Sequence, residues 1–224
     1  MNTWKVVIVF FISVTGFSQR IIDREVGEFH EIKVYDLIAV NLIKSDENRI
    51  LIKGPYADDI RYVNRDGVLK LRMELNKRFQ GNNTFIEVHY TDLGVIDANE
   101  GAKISCNEQL NQRSIELRAQ EGAQITAGLK VDAAVIRAVT GGIITASGIA
   151  ERQDITLNTG GIFEGRDLKT SLSTVSIKAG GEAELFASEE VDIQISAGGD
   201  VSVWGAPAKV YKKQLFGGRV TLRD

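Results

Sequence analysis

A glycine recurs about every 19 residues through the C-terminal half of this 224-residue chain. Successive steps between these glycines measure 21, 19, 19, 20, 18 and 19 residues. A unit this short cannot bury an apolar face by itself, so a chain of such units gains a core only when each unit stacks on the next. The recurring residues, which we call the anchor glycines, are Gly101, Gly122, Gly141, Gly160, Gly180, Gly198 and Gly217.

Apolar residues flank the anchor glycines at spacings of two. The third residue after the anchor is apolar in all seven repeats, and the fifth is small or apolar. Such alternation indicates β-strands that bury one face. The anchors then mark corners where the backbone takes a positive φ or where two chain segments approach closely, because glycine has no Cβ. These patterns predict an all-β protein, a β-solenoid with coils of about 19 residues that are regular from about residue 96 to residue 222.

Residues 20 to 95 alternate less regularly than the repeats do. Asp66-Gly67 separates two alternating segments, which is a strong signal for a β-hairpin. Because the end of a parallel stack exposes an unpaired edge, we expect these residues to form irregular first coils and a hairpin that cap the N-terminal end. No proline-rich or serine-rich linker divides the chain, so a single domain over residues 19–224 is predicted.

The first 18 residues have the pattern of a secretory signal peptide. Lys5 precedes an apolar run of about 11 residues, which is too short to span a membrane as a helix, and cleavage is expected after Ser18. The alternative is a buried N-terminal strand. No cysteine stands at the cleavage site, and no later stretch is long enough for a transmembrane helix. We therefore expect export to the periplasm, the outer-membrane surface or the extracellular space.

Composition excludes two classes of protein. A single cysteine rules out a disulfide scaffold. The net charge of −3 disfavours nucleic-acid binding, which requires a basic face.

The exported signal, the strand-rich stretch with Asp66-Gly67 and the doublets such as Gly160-Gly161 together carry a family resemblance. The chain resembles the head GIN domain family, whose members are described as autotransporter adhesins. The resemblance covers most of residues 25–222 and implies a right-handed, single-stranded parallel β-helix, similar in outline to pectin lyases. It also implies adhesion or surface association, and it transfers no catalytic residues. No literal Gly-Ile-Asn occurs in the sequence.

The sequence contains few groups that suggest catalysis or cofactor binding. Residues 160–165 match the glycine spacing of a P-loop, but Arg166-Asp167 stands where the phosphate-binding Lys-Ser/Thr is required. His30 and His89 have no nucleophile or metal-ligand spacing around them. Cys106 falls on an inward position, which predicts a buried, inert thiol. No cofactor is expected.

One outward cluster of carboxylates stands out. Glu182 and Asp200 occupy the second position after their anchors, and Glu164 and Glu184 occupy the fourth. Adjacent coils would bring each pair to roughly 5 Å, a spacing that suits a weak Ca²⁺ site or the two carboxyls of a retaining glycosidase. The alternative interpretation is a solvated acidic face, partly neutralised by Lys178 and Arg219.

Other outward positions predict structure rather than chemistry. Hydroxyl side chains recur at the fourth position after the anchor, and the rings of Trp204, Tyr211 and Phe216 gather near the last coil, where they would cover its end or contact a partner.

Two function classes follow. The first is an exported, non-enzymatic β-solenoid that binds a protein or glycan partner at the cell surface, with a homo-oligomer as a possible form. The second is a carbohydrate-active enzyme or glycan-binding protein of pectin-lyase-like shape.

Overall fold

The computed structural model describes residues 21–223, and the predicted signal peptide at residues 1–18 lies outside them. The all-β prediction is confirmed, because the only helices in the described part are single 3₁₀ turns at Ala57–Asp59, Leu75–Lys77 and Gly81–Asn83. The strands, in chain order, are β1 (Ile22–Glu25), β2 (Glu31–Val34), β3 (Ala39–Lys44), β4 (Arg49–Lys53), β5 (Ile60–Arg65), β6 (Val68–Met73), β7 (Phe85–Tyr90), β8 (Val95–Ala98), β9 (Lys103–Cys106), β10 (Leu110–Gln120), β11 (Gln124–Val139), β12 (Ile143–Asn158), β13 (Gly161–Gly165), β14 (Leu168–Ile177), β15 (Gly181–Phe186), β16 (Glu190–Ala197), β17 (Asp200–Trp204), β18 (Lys209–Phe216) and β19 (Arg219–Leu222).

The chain winds into a β-solenoid in which equivalent strands of successive coils pair in parallel. Face A is the stack of strands that precede the corners, in the order β6, β2, β8, β10, β11, β12, β14, β16 and β18. Face B is the stack that follows the corners, in the order β7, β3, β9, β11, β12, β13, β15, β17 and β19. Strands β11 and β12 are long enough to contribute to both faces. Together with β10 and the start of β14, they also form a shorter face C.

The core consists of inward columns that run along the stack. On face A one column is apolar from the cap to the sixth regular coil, and every member is buried. It comprises Leu69, Ile32, Ile96, Leu117, Ile136, Ile155, Val175 and Ile193. The inward positions predicted three residues after the anchors form the matching column on face B, where the large ring of Phe163 adjoins the small Ala183. Each coil therefore covers the apolar face of its neighbour.

The N-terminal cap is built out of chain order. The first coil, β2 with β3, lies between the layer of β6 and β7 and the layer of β8 and β9. The chain leaves after β3, forms β4 to β7 at the tip of the stack, and then returns. Antiparallel pairs close this tip, with β1 on β4, β4 on β7, and β5 on β6 across the turn at Asp66-Gly67. The predicted cap and hairpin are confirmed, and face A counts nine layers in all.

The corners between face A and face B are hydrogen-bonded from coil to coil. All seven anchor glycines have a positive φ, between 60° and 74°. This conformation turns the amide along the stack, so that Gly101 donates its N–H to the Glu121 carbonyl at 2.9 Å and Gly198 donates to the Phe216 carbonyl at 2.8 Å. In the cap, Leu37 takes the place of a glycine with a φ of 63° and donates to the Glu100 carbonyl at 3.0 Å.

In the doublet Gly141-Gly142, the second residue is glycine for a reason other than its φ. A Cβ on Gly142 would overlap the carbonyl oxygen of Ala119 in the preceding coil, although Gly142 itself has no positive φ. Gly141, by contrast, has a φ of 71° and no atom within 4 Å of an added Cβ. In this doublet, and likewise in Gly160-Gly161, the first glycine serves backbone conformation and the second permits close approach between coils. In the later doublets the second glycines, Gly181, Gly199 and Gly218, have a positive φ as well.

The corner of the cap places two carboxyl groups together. Asp36 is fully buried and Glu100 is partly buried, with 18% of its side chain exposed, and they are equivalent residues of adjacent layers because Val34 aligns with Ala98. As carboxylates, neither Asp36 Oδ1 nor Glu100 Oε2 has a hydrogen-bond donor. Arg78 contacts both, with its Nη2 2.8 Å from Glu100 Oε1 and its Nε 3.6 Å from Asp36 Oδ1. Desolvation and then the adjacent Asp36 raise the pKa of Glu100.

The two glycines of a doublet give a first prediction. Gly142→Ala should lower the free energy of unfolding by about 3 kcal/mol, because the coils must separate to admit the methyl group. Gly141→Ala should cost only about 1 kcal/mol, because it meets strain in φ but no neighbour. Guanidinium unfolding monitored by circular dichroism measures both. Equal losses, or a larger loss for Gly141→Ala, would contradict this division of roles.

The Asp36–Glu100 pair gives a second prediction. A carboxyl whose pKa is raised by folding stabilises the protein fully below its unfolded pKa and loses that contribution as the pH rises through the folded pKa. Glu100→Gln has no proton to lose, and its amide can donate to Asp36 while accepting from Arg78. The variant should match the wild type near pH 4 and gain roughly 1 kcal/mol over it by pH 7.5. Thermal unfolding across this range measures the difference, and a difference that shrinks with rising pH would show that folding does not raise the pKa of Glu100.

Candidate binding site on face B

Face B brings together the four acidic residues predicted from the sequence. Glu164 on β13 lies directly opposite Glu184 on β15, and Glu182 on β15 lies directly opposite Asp200 on β17. All four point outward, because the residue that follows each of them along its strand is buried. The sequence spacing alone fixed this arrangement, since in-register parallel strands align equivalent positions of successive coils.

A cleft of about 380 Å³ opens around three of these carboxylates. Its polar lining comes from face B and from the turn that follows β13, and comprises Thr145, Ser147, Glu164, Arg166, Asp167, Glu182 and Glu184. The hydroxyl of Thr145 donates to Glu164 Oε2 at 2.7 Å. Four carboxylates against one guanidinium make the cleft strongly acidic, so it suits a ligand that presents cationic groups or hydroxyl donors.

Asp200 lies beside the cleft and is already neutralised. Arg219 Nη2 lies 3.0 Å from Asp200 Oδ2, which confirms the expected role of Arg219. The acidic cluster is therefore divided into Asp200, which is paired, and the cleft carboxylates Glu164, Glu182 and Glu184, which form no ion pair within residues 21–223.

An aromatic pair, which the sequence analysis missed, adjoins the cleft. Phe186 and Trp204 lie opposite each other at the ends of β15 and β17. The Arg166 guanidinium lies over the Trp204 ring at 4.9 Å, and the Lys169 ammonium lies over the Phe186 ring at 4.2 Å. The repeat contained the signal, because Arg166, Phe186 and Trp204 are each the sixth residue after an anchor glycine.

The acidic cleft has too few protein oxygen ligands to bind a metal ion tightly. Within residues 21–223, no three His, Cys, Asp or Glu side chains come close enough to hold one. Ca²⁺ requires six to eight oxygen ligands, and a facing pair such as Glu164 and Glu184 supplies at most four. Both side chains are exposed, so water competes for the same positions.

The calcium hypothesis leads to a third prediction. Calorimetric titration of Ca²⁺ should give no saturable heat below about 1 mM, since the facing carboxylates lack the further ligands that a tighter site needs. The double variant Glu164→Gln/Glu184→Gln should give the same trace as the wild type. Saturable heat in the wild type that disappears in the variant would establish a calcium site here.

The other residues singled out by sequence lie elsewhere. His30 precedes β2, and His89 lies on β7, so both belong to the cap. Cys106 lies opposite Leu42 and packs against the core, and burial raises the pKa of its thiol to about 12. This agrees with the predicted inert thiol. The glycines at 160 and 161 serve as a corner of the solenoid rather than as a phosphate loop.

A second cleft lies at the cap and is lined by arginines. Arg61, Arg72 and Arg78 surround a space of about 630 Å³. Arg61 pairs with Glu74, Arg78 pairs with Glu100, and the Arg72 guanidinium lies 5.4 Å from the Tyr35 ring. These cations are largely satisfied within the protein, so we regard the face-B cleft as the stronger candidate site.

Comparison with known structures supports the fold. A crystal structure from Bacteroides fragilis, described as "a putative adhesin", is 16% identical with a TM-score of 0.84 and aligns over 92% of this chain and 98% of its own. A second "putative adhesin", from Parabacteroides merdae, is 18% identical with a TM-score of 0.71 over 93% and 98% of the two chains. A "putative lipid binding protein" from Parabacteroides distasonis is 14% identical with a TM-score of 0.69 over 93% and 98%. At these identities the likeness concerns the fold alone.

The sequence itself matches a family model but no curated protein. Curated proteins yield no match to this sequence. In the part of the chain that the structure describes, no helix is long and apolar enough to cross a membrane. The model of the family described as "Putative auto-transporter adhesin, head GIN domain" matches residues 28–207, which is most of the solenoid. The chain therefore belongs to the head GIN domain family.

Proposed function

We propose that this protein is exported and acts without catalysis, by binding a glycan at the cell envelope or cell surface through the face-B cleft. The acidic cleft beside the Phe186–Trp204 pair is the observation that carries the proposal. Membership of a family described as adhesins supports it, as does the signal-peptide pattern of residues 1–18.

The chemistry of the cleft suits a sugar. Carboxylates such as Glu164 and Glu184 accept hydrogen bonds from hydroxyl groups, and charge-assisted bonds of this kind are the stronger ones. The adjacent rings offer apolar area against which a sugar ring can pack. Both groups project from stacked strands that share one hydrogen-bonded sheet, so the site is preorganised and little entropy is lost on binding.

A carbohydrate-active enzyme is the second candidate, since Glu164 and Glu184 lie on adjacent strands. A glycosidase needs one carboxyl desolvated enough to stay protonated and act as the general acid. Both side chains are exposed, so neither is desolvated in this way. These observations favour binding over hydrolysis.

A glycan array probed with the exported protein tests this function and is our fourth prediction. The wild type should bind a defined set of glycans, and Glu184→Gln and Trp204→Ala should each weaken that binding about tenfold through loss of a charged acceptor or of ring area. N-terminal sequencing of the same sample should read from Gln19 if the signal peptide is cleaved as proposed.

A matched variant and a second assay keep the result interpretable. Glu151→Gln removes an exposed carboxylate on β12 outside the cleft and should leave binding unchanged. Each variant should keep the wild-type circular dichroism spectrum. Depolymerisation of a bound polysaccharide by the wild type, abolished in Glu164→Gln, would replace the binding function with the enzymatic one. Binding to lipid vesicles alone, with an empty glycan array, would also overturn the proposal.

A further inference from the structure

The last coil of the solenoid presents an open sheet edge. β18 pairs with β16 and β19 pairs with β17, and no other strand of residues 21–223 pairs with the outer side of either. The eight residues of β18 therefore expose a row of backbone N–H and C=O groups. The opposite end of the stack is closed by antiparallel strands, so the two ends differ in kind.

This edge is the most basic part of an acidic protein. Residues 205–223 contain five Lys or Arg and no Asp or Glu, whereas the whole chain has a net charge of −3. Lys209 and Arg219 pair with acidic residues of the coil below, Glu190 and Asp200. Lys212 and Lys213 are both exposed, and neither forms an ion pair with any residue from 21 to 223.

Apolar side chains share the edge with these lysines. Leu215 and Phe216 are 61% and 78% exposed, and Tyr211 is 51% exposed. The rings of Tyr211 and Phe216, which the sequence analysis places either over the end of the last coil or against a partner, are therefore more exposed than buried. Lys212 stands in the inward column directly above Ile193. A further strand on this edge would enclose the Lys212 ammonium, which demands a carboxylate from that strand.

Charge and backbone geometry select the partner. A second copy of this chain meeting edge to edge would place two sets of unpaired lysines together, which repels. A lipid bilayer leaves the backbone groups of an open edge without partners in its hydrocarbon layer. An extended acidic peptide supplies both the backbone hydrogen bonds and the carboxylates.

We propose that β18 is a docking site for an acidic, extended segment of another protein, which adds to face A as a tenth strand. Carboxylates on successive residues of that segment face Lys212 and Lys213, and its apolar side chains cover Leu215 and Phe216. This site is separate from the face-B cleft, so it binds its partner whether or not the cleft binds a glycan.

Fluorescence anisotropy with labelled synthetic peptides tests the proposal on the full chain. The probe is a ten-residue peptide in which pairs of adjacent glutamates alternate with pairs of adjacent valines, so that both faces of the added strand carry carboxylates and apolar side chains. One control carries lysine in place of glutamate, and another keeps glutamate but has N-methylated amides along one edge, which blocks strand pairing. Only the unmethylated acidic probe should bind, and hydrogen exchange of the β18 amides should slow when it does.

Matched charge reversals locate the site. Lys212→Glu/Lys213→Glu should weaken the probe about tenfold or more, because like charges then face each other. Lys103→Glu/Lys130→Glu makes the same change at exposed positions on β9 and β11 and should leave affinity unchanged. Circular dichroism checks that both variants fold.

Four results would overturn the inference. They are no binding of the acidic probe, equal binding of the N-methylated peptide, equal weakening by both charge reversals, and a stable dimer in sedimentation that the Lys212→Glu/Lys213→Glu variant fails to form. Cosedimentation with vesicles of anionic phospholipid, in the absence of peptide binding, would assign the edge to a membrane surface instead.

Discussion

The in-register parallel stacking of one coil on the next is the interaction on which the rest of the structure depends. At each regular corner an anchor glycine adopts a left-handed φ, and at five of these corners its N–H donates to the coil above. Those bonds hold equivalent residues of successive coils at the same height. The inward columns, the facing carboxylates of face B and the Phe186–Trp204 pair all exist because this register does not slip. A slip of one residue would turn every outward side chain into the core.

The same stacking explains where polar chemistry accumulates. A single acidic residue in one repeat is unremarkable, but a second at the equivalent position of the next coil becomes its direct neighbour. At the solvated face this produces the cleft around Glu164 and Glu184. At the buried corner it produces the Asp36–Glu100 pair, whose burial raises the pKa of Glu100. One geometric rule thus yields an open acidic surface in one place and a pH-sensitive contact in the other.

The sheet edge is covered at the N-terminal end of the stack and exposed at the other end. At the N-terminal end, antiparallel strands cover the tip by pairing with one another, β1 with β4 and β4 with β7. At the other end, the inward column that is apolar up to Ile193 ends in Lys212. An inward lysine on a terminal strand opposes indiscriminate edge-to-edge association. It also gives the edge a preference for carboxylates, so the device that prevents aggregation defines the partner that we propose.

The sequence by itself determined the regular coils, their inward columns and the facing acidic pairs, because a fixed spacing on parallel strands becomes a fixed neighbour. It also contained the column of Arg166, Phe186 and Trp204, which a count of six from each anchor would have found. Only the tertiary structure decided the order of the cap. There Leu37 occupies a corner in place of a glycine, so the amino-acid pattern does not show the repeat. The place of β2 and β3 between a later layer and the regular coils rests on contacts between residues as distant as Val34 and Ala98, which no local pattern records.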